Sequence, residues 1–381
     1  MKKYILIPDS FKGTLSSAQI CAVLAGELRA AQPDAEIVAI SVADGGEGTV
    51  DALLSAVGGE RVRAACHGPF GEEMTGFYGL LPDGAAVIEM AAAAGLPLVG
   101  GRLQPDRTTT YGVGELIAAA LARGARRIVL GLGGSATNDG GCGAAAALGV
   151  RFLRADGSAF VPTGGTLGEI AHISMHGVNP ALREAQIAVM CDIDNPLCGP
   201  AGASAVFGPQ KGADEPMVAR LDNGLRHLAE VIRTDLGMDV LDLPGGGAAG
   251  GMGAGAVAFL GGRLQMGIET VLDLTHFDAR AADADLIFTG EGRLDSQSLR
   301  GKVVVGVARR ATRLGVPVVA FVGASEREIA AVYEEGVAGV FPINPEPRPF
   351  DEVRGESEEN LRFTARNLIH FLGCLQKGKA H

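Results

Sequence analysis

The sequence contains no tryptophan, and aromatic residues make up only 5% of its 381 residues. Hydrophobic residues nevertheless account for 47% of the chain, so the interior must be aliphatic and rich in alanine. Such a composition is typical of helices packed on a parallel sheet. A chain of this length exceeds one ordinary core, so we expect two domains.

Cysteine and histidine occur, but they form no pattern of a metal site. The six cysteines include no CxxC pair, and the seven histidines form no HxH or HExxH motif. Zinc sites, disulfide frameworks and zinc proteases therefore have no support, and we expect reduced structural thiols.

Basic charge and long apolar runs are also scarce. The formal net charge is -11, which argues against nucleic acid or an anionic membrane as a partner. No apolar run approaches the roughly 18 residues of a membrane span, and the N-terminal run is too short for a signal peptide. We expect a cytoplasmic protein that acts on a small molecule, either as a monomer or as a homodimer.

Alternating strands and helices occupy both ends of the chain. The N-terminal pattern predicts a strand at 4–7, a helix at 17–31, a strand at 36–40 and a helix from 49. The C-terminal pattern predicts strands at 285–288, 316–322 and 340–343, and helices at 303–314, 326–335 and 358–375. This alternation predicts an α/β protein whose parallel sheet is built from residues 1–64 and 284–381.

The intervening residues, 65–283, are predicted to form an inserted domain. Apolar runs at 76–81 and 85–89 flank Pro82-Asp83-Gly84, which is typical of a hairpin turn. Further elements are expected at 112–123, 127–130 and 187–191. The glycine-rich stretch 245–255 is equally consistent with a hinge or helix-packing segment and with a ligand loop.

Polar residues collect in five loops that follow predicted strands: 9–14, 44–49, 131–141, 191–197 and 289–295. Any one of them could be an ordinary turn or helix cap. Together they indicate a ligand site, because ligands of open α/β sheets bind beyond the carboxyl ends of the strands. Lys12 and Lys302 are the expected contacts to phosphate or carboxylate, whereas Arg293 could simply pair with Glu291 or Asp295, and Lys211 could cap a loop.

The loop 131–141, GLGGSATNDGG, combines glycines, hydroxyls and a carboxylate after an apolar strand. Glycine allows the backbone to approach an anion, and consecutive N–H groups can form an anion-binding nest. The chain has no GxxxxGK[ST] motif, and this loop does not match GxGxxG, because position 136 is Ala. The sequence therefore predicts a phosphoryl-transfer site that does not use a P-loop.

Five motifs in this order resemble the signatures of bacterial glycerate kinases of the glycerate 2-kinase type. They are PDSFKG at 8–13, ADGGEGT at 43–49, GLGGSATNDGG at 131–141, NPL at 195–197 with FGPQKGA at 207–213, and TGEGR at 289–293 with Asp295. The resemblance implies ATP-dependent, Mg²⁺-dependent phosphorylation of D-glycerate to 2-phosphoglycerate. It also implies a flavodoxin-like domain made from both chain ends and an inserted α/β domain with a mixed sheet.

Phosphoryl transfer requires positioned reactants and neutralised charge, which suggests a role for each polar group. The predicted catalytic residues are Lys12, Asp192, Asp295 and Arg293, with Asp192 or Asp295 as the proton acceptor. The predicted ATP contacts are Gly133, Gly134, Ser135, Thr137, Asn138 and Lys302. The predicted glycerate contacts are Asp9, Ser10, Lys12 and Glu291. The predicted Mg²⁺ ligands are Asp44, Glu47 and Asp192.

Three alternatives remain open from the sequence. The first is a related kinase that makes 3-phosphoglycerate or uses another small hydroxy acid. The second is a nucleotide-binding protein without catalytic activity. The third is an NAD-dependent dehydrogenase, against which the mismatch of the loop 131–141 to GxGxxG argues.

Overall fold

The computed structural model describes residues 1–43, 45–296, 298–326, 329–346 and 348–378. The strands are β1 (Lys3–Pro8), β2 (Glu36–Ala39), β3 (Glu60–His67), β4 (Glu73–Leu80), β5 (Ala86–Glu89), β6 (Arg127–Gly131), β7 (Arg151–Leu153), β8 (Ala159–Phe160), β9 (His172–Ser174), β10 (Gln186–Met190), β11 (Arg263–Gln265), β12 (Leu286–Leu294), β13 (Val318–Ser325) and β14 (Val337–Pro342). The helices are α1 (Ser17–Ala31), α2 (Thr49–Val57), α3 (Ala91–Ala94), α4 (Tyr111–Ala122), α5 (Cys142–Ala147), α6 (Pro180–Glu184), α7 (Ala203–Phe207), α8 (Glu215–Leu236), α9 (Ala248–Leu260), α10 (Gly267–Leu274), α11 (Phe277–Ala281), α12 (Val303–Leu314), α13 (Ala330–Glu334), α14 (Phe350–Val353) and α15 (Ser357–Gly378).

The chain divides into two compact units, which we call the terminal unit (residues 1–43 and 271–381) and the central unit (residues 44–270). We expected the boundaries between residues 64 and 65 and between residues 283 and 284, and both boundaries lie earlier in the sequence than that. The first differs because β3 pairs with β4 over its whole length, which places β3 in the central sheet. The backbone N–H of Val50 in α2 also donates to the Glu89 carboxylate at the end of β5, 2.6 Å away.

The terminal unit contains a five-stranded sheet in the order β14-β13-β12-β1-β2. Every neighbouring pair in it is parallel. Because β1 and β2 come from one end of the chain and β12, β13 and β14 from the other, the flavodoxin-like order 2-1-3-4-5 is confirmed. The core of the unit is mainly aliphatic, with residues such as Leu6, and contains a few aromatic rings, including Phe288 and Phe321.

The central unit contains a six-stranded mixed sheet in the order β11-β10-β6-β5-β4-β3. The strands from β11 to β5 pair in parallel, whereas β4 and β3 are antiparallel additions at one side. The predicted hairpin is confirmed as β4 and β5, and a small three-stranded sheet joins β8, β7 and β9. The expected inserted α/β domain with a mixed sheet is therefore present.

Two expectations for the C-terminal half were wrong. Residues 289–294 were expected to form a loop, but they continue strand β12, because β13 pairs beside it as far as Leu294 and Ser325. The helix expected at 326–335 is shorter, since α13 begins at Ala330 and ends at Glu334. Residues 327 and 328 of that prediction lie outside the described residues.

Five of the six cysteines are buried free thiols, and Cys374 is exposed. No helix in the part of the chain that the structure describes is both long and apolar enough to cross a membrane.

Candidate functional site

One candidate site lies at the carboxyl edge of the central sheet. Strands β5, β6, β10 and β11 are parallel, so their carboxyl ends meet at one edge. The glycine-rich loop, residues 131–141, follows β6 there, and Asp192 follows β10. The Asp192 carboxylate accepts a hydrogen bond of 2.7 Å from the Gly267 N–H at the start of α10. The structure thus brings this loop and Asp192 to the same edge, as the sequence predicts.

Two glycines of the glycine-rich loop are required by close backbone packing. The Gly133 N–H donates to the Gly45 carbonyl at 2.9 Å. A Cβ on Gly131 would lie 2.3 Å from that carbonyl oxygen, and a Cβ on Gly133 would lie 2.5 Å from the Gly46 Cα. The exposed part of the loop is at Gly134, whose φ of 73° favours glycine. The backbone is therefore open to an anion at Gly134, whereas the Gly133 N–H already has a partner.

The polar side chains that follow in the same loop are buried. Ser135 is 6% exposed, and Thr137 and Asn138 are fully buried. The Asn138 amide donates to the Ser204 hydroxyl on α7 at 3.2 Å, whereas the Thr137 hydroxyl has no hydrogen-bond partner among the described residues. Their predicted contact with phosphate therefore remains a prediction.

A buried carboxylate, Asp139, anchors the glycine-rich loop. Asp139 accepts hydrogen bonds from the N–H and hydroxyl of Thr110, at 2.7 and 2.8 Å, and from the N–H groups of Gly141 and Gly143, at 3.1 and 3.2 Å. Burial raises the pKa of Asp139, and these four donors oppose that rise. The donor set matches an ionised carboxylate with a structural role.

A buried lysine, Lys211, holds the other side of the glycine-rich loop. Its side chain donates to the Ser135 hydroxyl at 2.8 Å and to the Thr137 carbonyl at 2.7 Å. The residue is only 2% exposed. Burial lowers its pKa to about 7, against the opposing charge of Asp139. Lys211 therefore links the 207–213 segment to the glycine-rich loop and does not serve as the loop cap that the sequence suggests.

The glycine-rich stretch 245–255 packs against the same loop. The Gly140 N–H donates to the Gly250 carbonyl at 3.0 Å. A Cβ on Gly250 would lie 2.0 Å from the Thr137 carbonyl oxygen. Ala249, Gly250 and Gly251 all have positive φ at the start of α9. Of the two interpretations left open by the sequence, the structure favours the packing segment.

A second candidate site lies in the terminal unit, where β1 and β12 pair at the point at which the strand order reverses. Beyond the last paired residues, the Asp9 N–H donates to the Gly290 carbonyl at 2.8 Å. Doubly wound sheets bind their ligands at the carboxyl ends of such a strand pair. Of the predicted site residues, Asp9, Ser10 and Lys12 follow β1, and Glu291 and Arg293 lie on β12.

Glu291 is the most unusual carboxyl group of this second site. It is 5% exposed, and its Oε1 has no hydrogen-bond partner among the described residues. The Ser298 hydroxyl is its hydrogen-bond partner on the other side. Burial raises the pKa of Glu291 to about 7, the charges of Asp9 and Asp295 add to the rise, and Lys302 opposes it.

The predicted lysines of the terminal unit differ in exposure. Lys12 is exposed on a turn after β1, and its backbone nitrogen would lie 3.3 Å from a Cβ on Gly292, so it passes close to β12. Lys302 is half-buried and occupies the N-cap position of α12. The Ser10 N–H donates to the Asp9 carboxylate at 2.7 Å.

Arg293 takes part in an exposed ion-pair group. Its guanidinium lies 3.2 Å from the Glu326 carboxylate and 3.8 Å from that of Asp295. Two thirds of the Arg293 side chain, 66%, is exposed. This arrangement supports the ion-pair interpretation, and a catalytic role for Arg293 or Asp295 stays a prediction.

The predicted metal ligands are only partly described. Asp44 lies outside the described residues, and Glu47 is exposed just before α2. Within the described ranges, no three Asp, Glu, His or Cys side chains form a group that could hold a metal ion. Mg²⁺ in phosphoryl-transfer sites commonly uses one or two carboxylates together with phosphate oxygens and water. A single carboxylate such as Asp192 suits that kind of site.

Sequence reasoning missed the structural roles of Asp139 and Lys211. Charged side chains are seldom fully buried, so composition and periodicity give no reason to place either residue inside. The only available signal was their position between small residues, Asn138-Asp139-Gly140 and Gln210-Lys211-Gly212. That signal is shared with ordinary turns.

Comparisons with known proteins agree over nearly the whole chain. Residues 4–373 match the model of the glycerate kinase family. The sequence is 47% identical to a glycerate kinase of Bacillus cereus, over 96% of this chain and 97% of that protein. It is 44% identical to a glycerate 2-kinase of Escherichia coli K12, over 96% of this chain and 97% of that protein.

A solved structure with the provisional name glycerate kinase 2, from Salmonella typhimurium LT2, is also similar. It superposes with a TM-score of 0.85 at 44% sequence identity, and the match covers 99% of each chain. The match therefore extends over both units of the chain.

Proposed function

The chain belongs to the glycerate kinase family, and from this premise we propose that it transfers the γ-phosphoryl group of ATP to D-glycerate. The product is 2-phospho-D-glycerate. The observation that carries the proposal is the 44% identity to a glycerate 2-kinase across 96% of the chain. The charged groups gathered at the strand-order reversal of the terminal unit support it.

The glycine-rich loop is proposed to bind the phosphates of ATP. Gly134 offers exposed backbone next to Gly133, whose N–H is already bonded to Gly45, and the loop is held from behind by Asp139 and Lys211. A rigid, preorganised loop loses little entropy when it binds an anion. Ser135, Thr137, Asn138 and Lys302 complete the predicted nucleotide contacts.

Mg²⁺ is the proposed metal, with Asp192, Glu47 and Asp44 as its predicted protein ligands. When bound, Mg²⁺ would neutralise charge on the transferring phosphoryl group. The Asp192 carboxylate is oriented by its hydrogen bond from Gly267, so it is held in place before any ligand binds. Hard oxygen donors of this kind are the ones that Mg²⁺ prefers.

The acceptor, D-glycerate, is proposed to bind in the terminal unit. Asp9, Ser10 and Glu291 supply hydrogen-bonding groups for its hydroxyls. Lys12 supplies positive charge for the glycerate carboxylate or for the transferring phosphoryl group. Arg293 and Lys302 are secondary cations.

A coupled assay of ADP release tests the proposed function. We expect turnover with D-glycerate, much less with L-glycerate, and none without acceptor. In the ³¹P spectrum, the phosphate of 2-phosphoglycerate couples to one proton and that of 3-phosphoglycerate to two. A triplet would assign the other product, and turnover only with a different hydroxy acid would assign another acceptor. ATP binding without ADP release would indicate a nucleotide-binding protein.

Replacing Lys12 by alanine is expected to lower kcat/KM for glycerate by about a hundredfold, because a charge-assisted contact to an anion is lost. Steady-state kinetics at saturating ATP measure this effect. Lys2→Ala is the matched control: it removes the same charge just before the other end of β1, where Lys2 pairs with Asp285. Such exposed pairs contribute little to stability. A Lys12→Ala protein with normal kcat/KM would show that Lys12 contacts neither anion.

A further inference from the structure

We propose that Glu291 is the group that accepts the proton of the glycerate hydroxyl as that hydroxyl attacks the γ-phosphorus of ATP. This inference rests on the proposed function and deepens it. It selects one carboxylate as the base, in place of the two candidates, Asp192 and Asp295, that the sequence suggests.

The first support is the position of Glu291 in the fold. Its backbone lies on β12, where Glu291 pairs with Val322 of β13. One residue earlier, Gly290 accepts the hydrogen bond from Asp9 that ends the pairing with β1. The side chain therefore stands on a strand that is held from both sides, at the edge where such sheets bind ligands.

The second support is an unsatisfied atom. Oε1 of Glu291 is buried and has no partner among the described residues, although the residue is only 5% exposed. Buried carboxylate oxygens without a donor are rare in folded proteins, because the lost hydration is not replaced. The Ser298 hydroxyl holds the other side of the group, and its oxygen in turn accepts a hydrogen bond of 3.2 Å from the Asp295 N–H. A substrate hydroxyl is a donor that would complete the site.

The third support is the balance of charge around the group. Burial raises the pKa of Glu291 to about 7, and the Ser298 hydroxyl opposes this rise. The charges of Asp9 after β1 and Asp295 after β12 raise the pKa further, whereas Lys302 before α12 lowers it. A base is most effective when its pKa lies near the working pH. By contrast, one oxygen of Asp192 already accepts a hydrogen bond from Gly267, and Asp295 lies 3.8 Å from the Arg293 guanidinium.

The step balances with ATP as the only co-reactant. The hydroxyl O–H bond breaks, and its proton moves to the Glu291 carboxylate. The electron pair left on the oxygen forms the new O–P bond. The bond between the γ-phosphorus and the bridging oxygen breaks, and its electron pair leaves with ADP. Glu291 then releases the proton to solvent.

Glu291→Gln tests the proposal, because it keeps the size of the side chain and removes its basicity. We expect kcat to fall by a factor of about 10² to 10⁴, the usual contribution of a general base, while the Kd of ATP measured by calorimetry changes less than about threefold. The wild type should lose kcat/KM as the pH falls below about 7, and the residual activity of Glu291→Gln should not. Glu291→Asp should restore part of kcat.

Asp295→Asn is the comparison variant, since it makes the same kind of change at a neighbouring carboxylate. It should retain the loss of kcat/KM at low pH. A merely structural role for Glu291 predicts a lower unfolding midpoint and an unchanged pH profile, whereas we expect the unfolding midpoint of Glu291→Gln at pH 7.5 to be no lower than that of the wild type.

Two failures are distinguishable. In the first, the wild type is active while Glu291→Gln keeps kcat within a few fold, or still loses kcat/KM at low pH as the wild type does. Either result overturns the role of Glu291 but leaves the proposed function intact. A wild type that releases no ADP with any hydroxy acid overturns the proposed function, and this role with it.

Discussion

Replacing Asp139 by asparagine is expected to lower the free energy of unfolding by about 3 to 5 kcal/mol, the range for breaking a buried charged network. One Asp139 oxygen accepts three hydrogen bonds and the other accepts the Gly141 N–H. An asparagine amide would turn its NH₂ group toward at least one of these donors. Asp139→Ala should be worse still, because it leaves all four donors without their acceptor.

Urea unfolding followed by far-UV circular dichroism measures the effect, and hydrogen exchange at residues 131–143 assigns it to the glycine-rich loop. Asp156→Asn is the matched control in the same unit, because Asp156 accepts hydrogen bonds from the N–H and the hydroxyl of Ser158 in an exposed turn. Its unfolding midpoint should stay that of the wild type. An Asp139→Asn protein as stable as the wild type would show that the carboxylate does not anchor the loop.

Replacing Lys211 by methionine is expected to remove a pH-dependent component of stability. The pKa of Lys211 is lowered by burial from 10.5 to about 7 on folding. Between these values the unfolded chain binds the proton and the folded chain does not, so the free energy of unfolding rises with pH. The slope is about 1.4 kcal/mol per pH unit, or up to about 5 kcal/mol over the whole interval.

The measurement is the difference in unfolding free energy between the wild type and Lys211→Met from about pH 7 to pH 9.5, which should grow with pH. Lys3→Met is the control, because contacts with Asp283 raise the pKa of Lys3 above 10.5 on folding. Its stabilising contribution is fully present below pH 10.5, so it should not change over this range. If the unfolding free energies of the wild type and Lys211→Met change with pH in the same way, the pKa of Lys211 is not lowered in the folded chain.

The Lys211→Met protein should also bind ATP more weakly, because the Ser135–Thr137 segment loses two hydrogen bonds that hold it. Calorimetry with ATP measures this change at pH 7.5. A Kd for ATP equal to that of the wild type would show that the hydrogen bonds of Lys211 do not contribute to nucleotide binding.

Local patterns predicted several elements well. The helix expected at 303–314 is α12 with the same bounds, and the hairpin around Pro82-Asp83-Gly84 is β4 and β5. These succeed because periodicity and turn chemistry act between neighbours in the sequence. The errors occur where pairing with another strand sets the end of an element. Strand β12 continues to Leu294, because β13 pairs beside it that far.

The sequence by itself determined the α/β class, the parallel sheet made from both chain ends, the glycine-rich loop, the family motifs and the absence of a P-loop. These features are carried by residue types at short spacing, so they can be read along the chain. The structure decided which charged residues are buried. Asp139 contacts Thr110, Lys211 contacts Ser135, and the charge of Asp9, near the start of the chain, influences Glu291 on β12. Burial and pKa depend on contacts between distant segments, and only the folded chain makes those contacts.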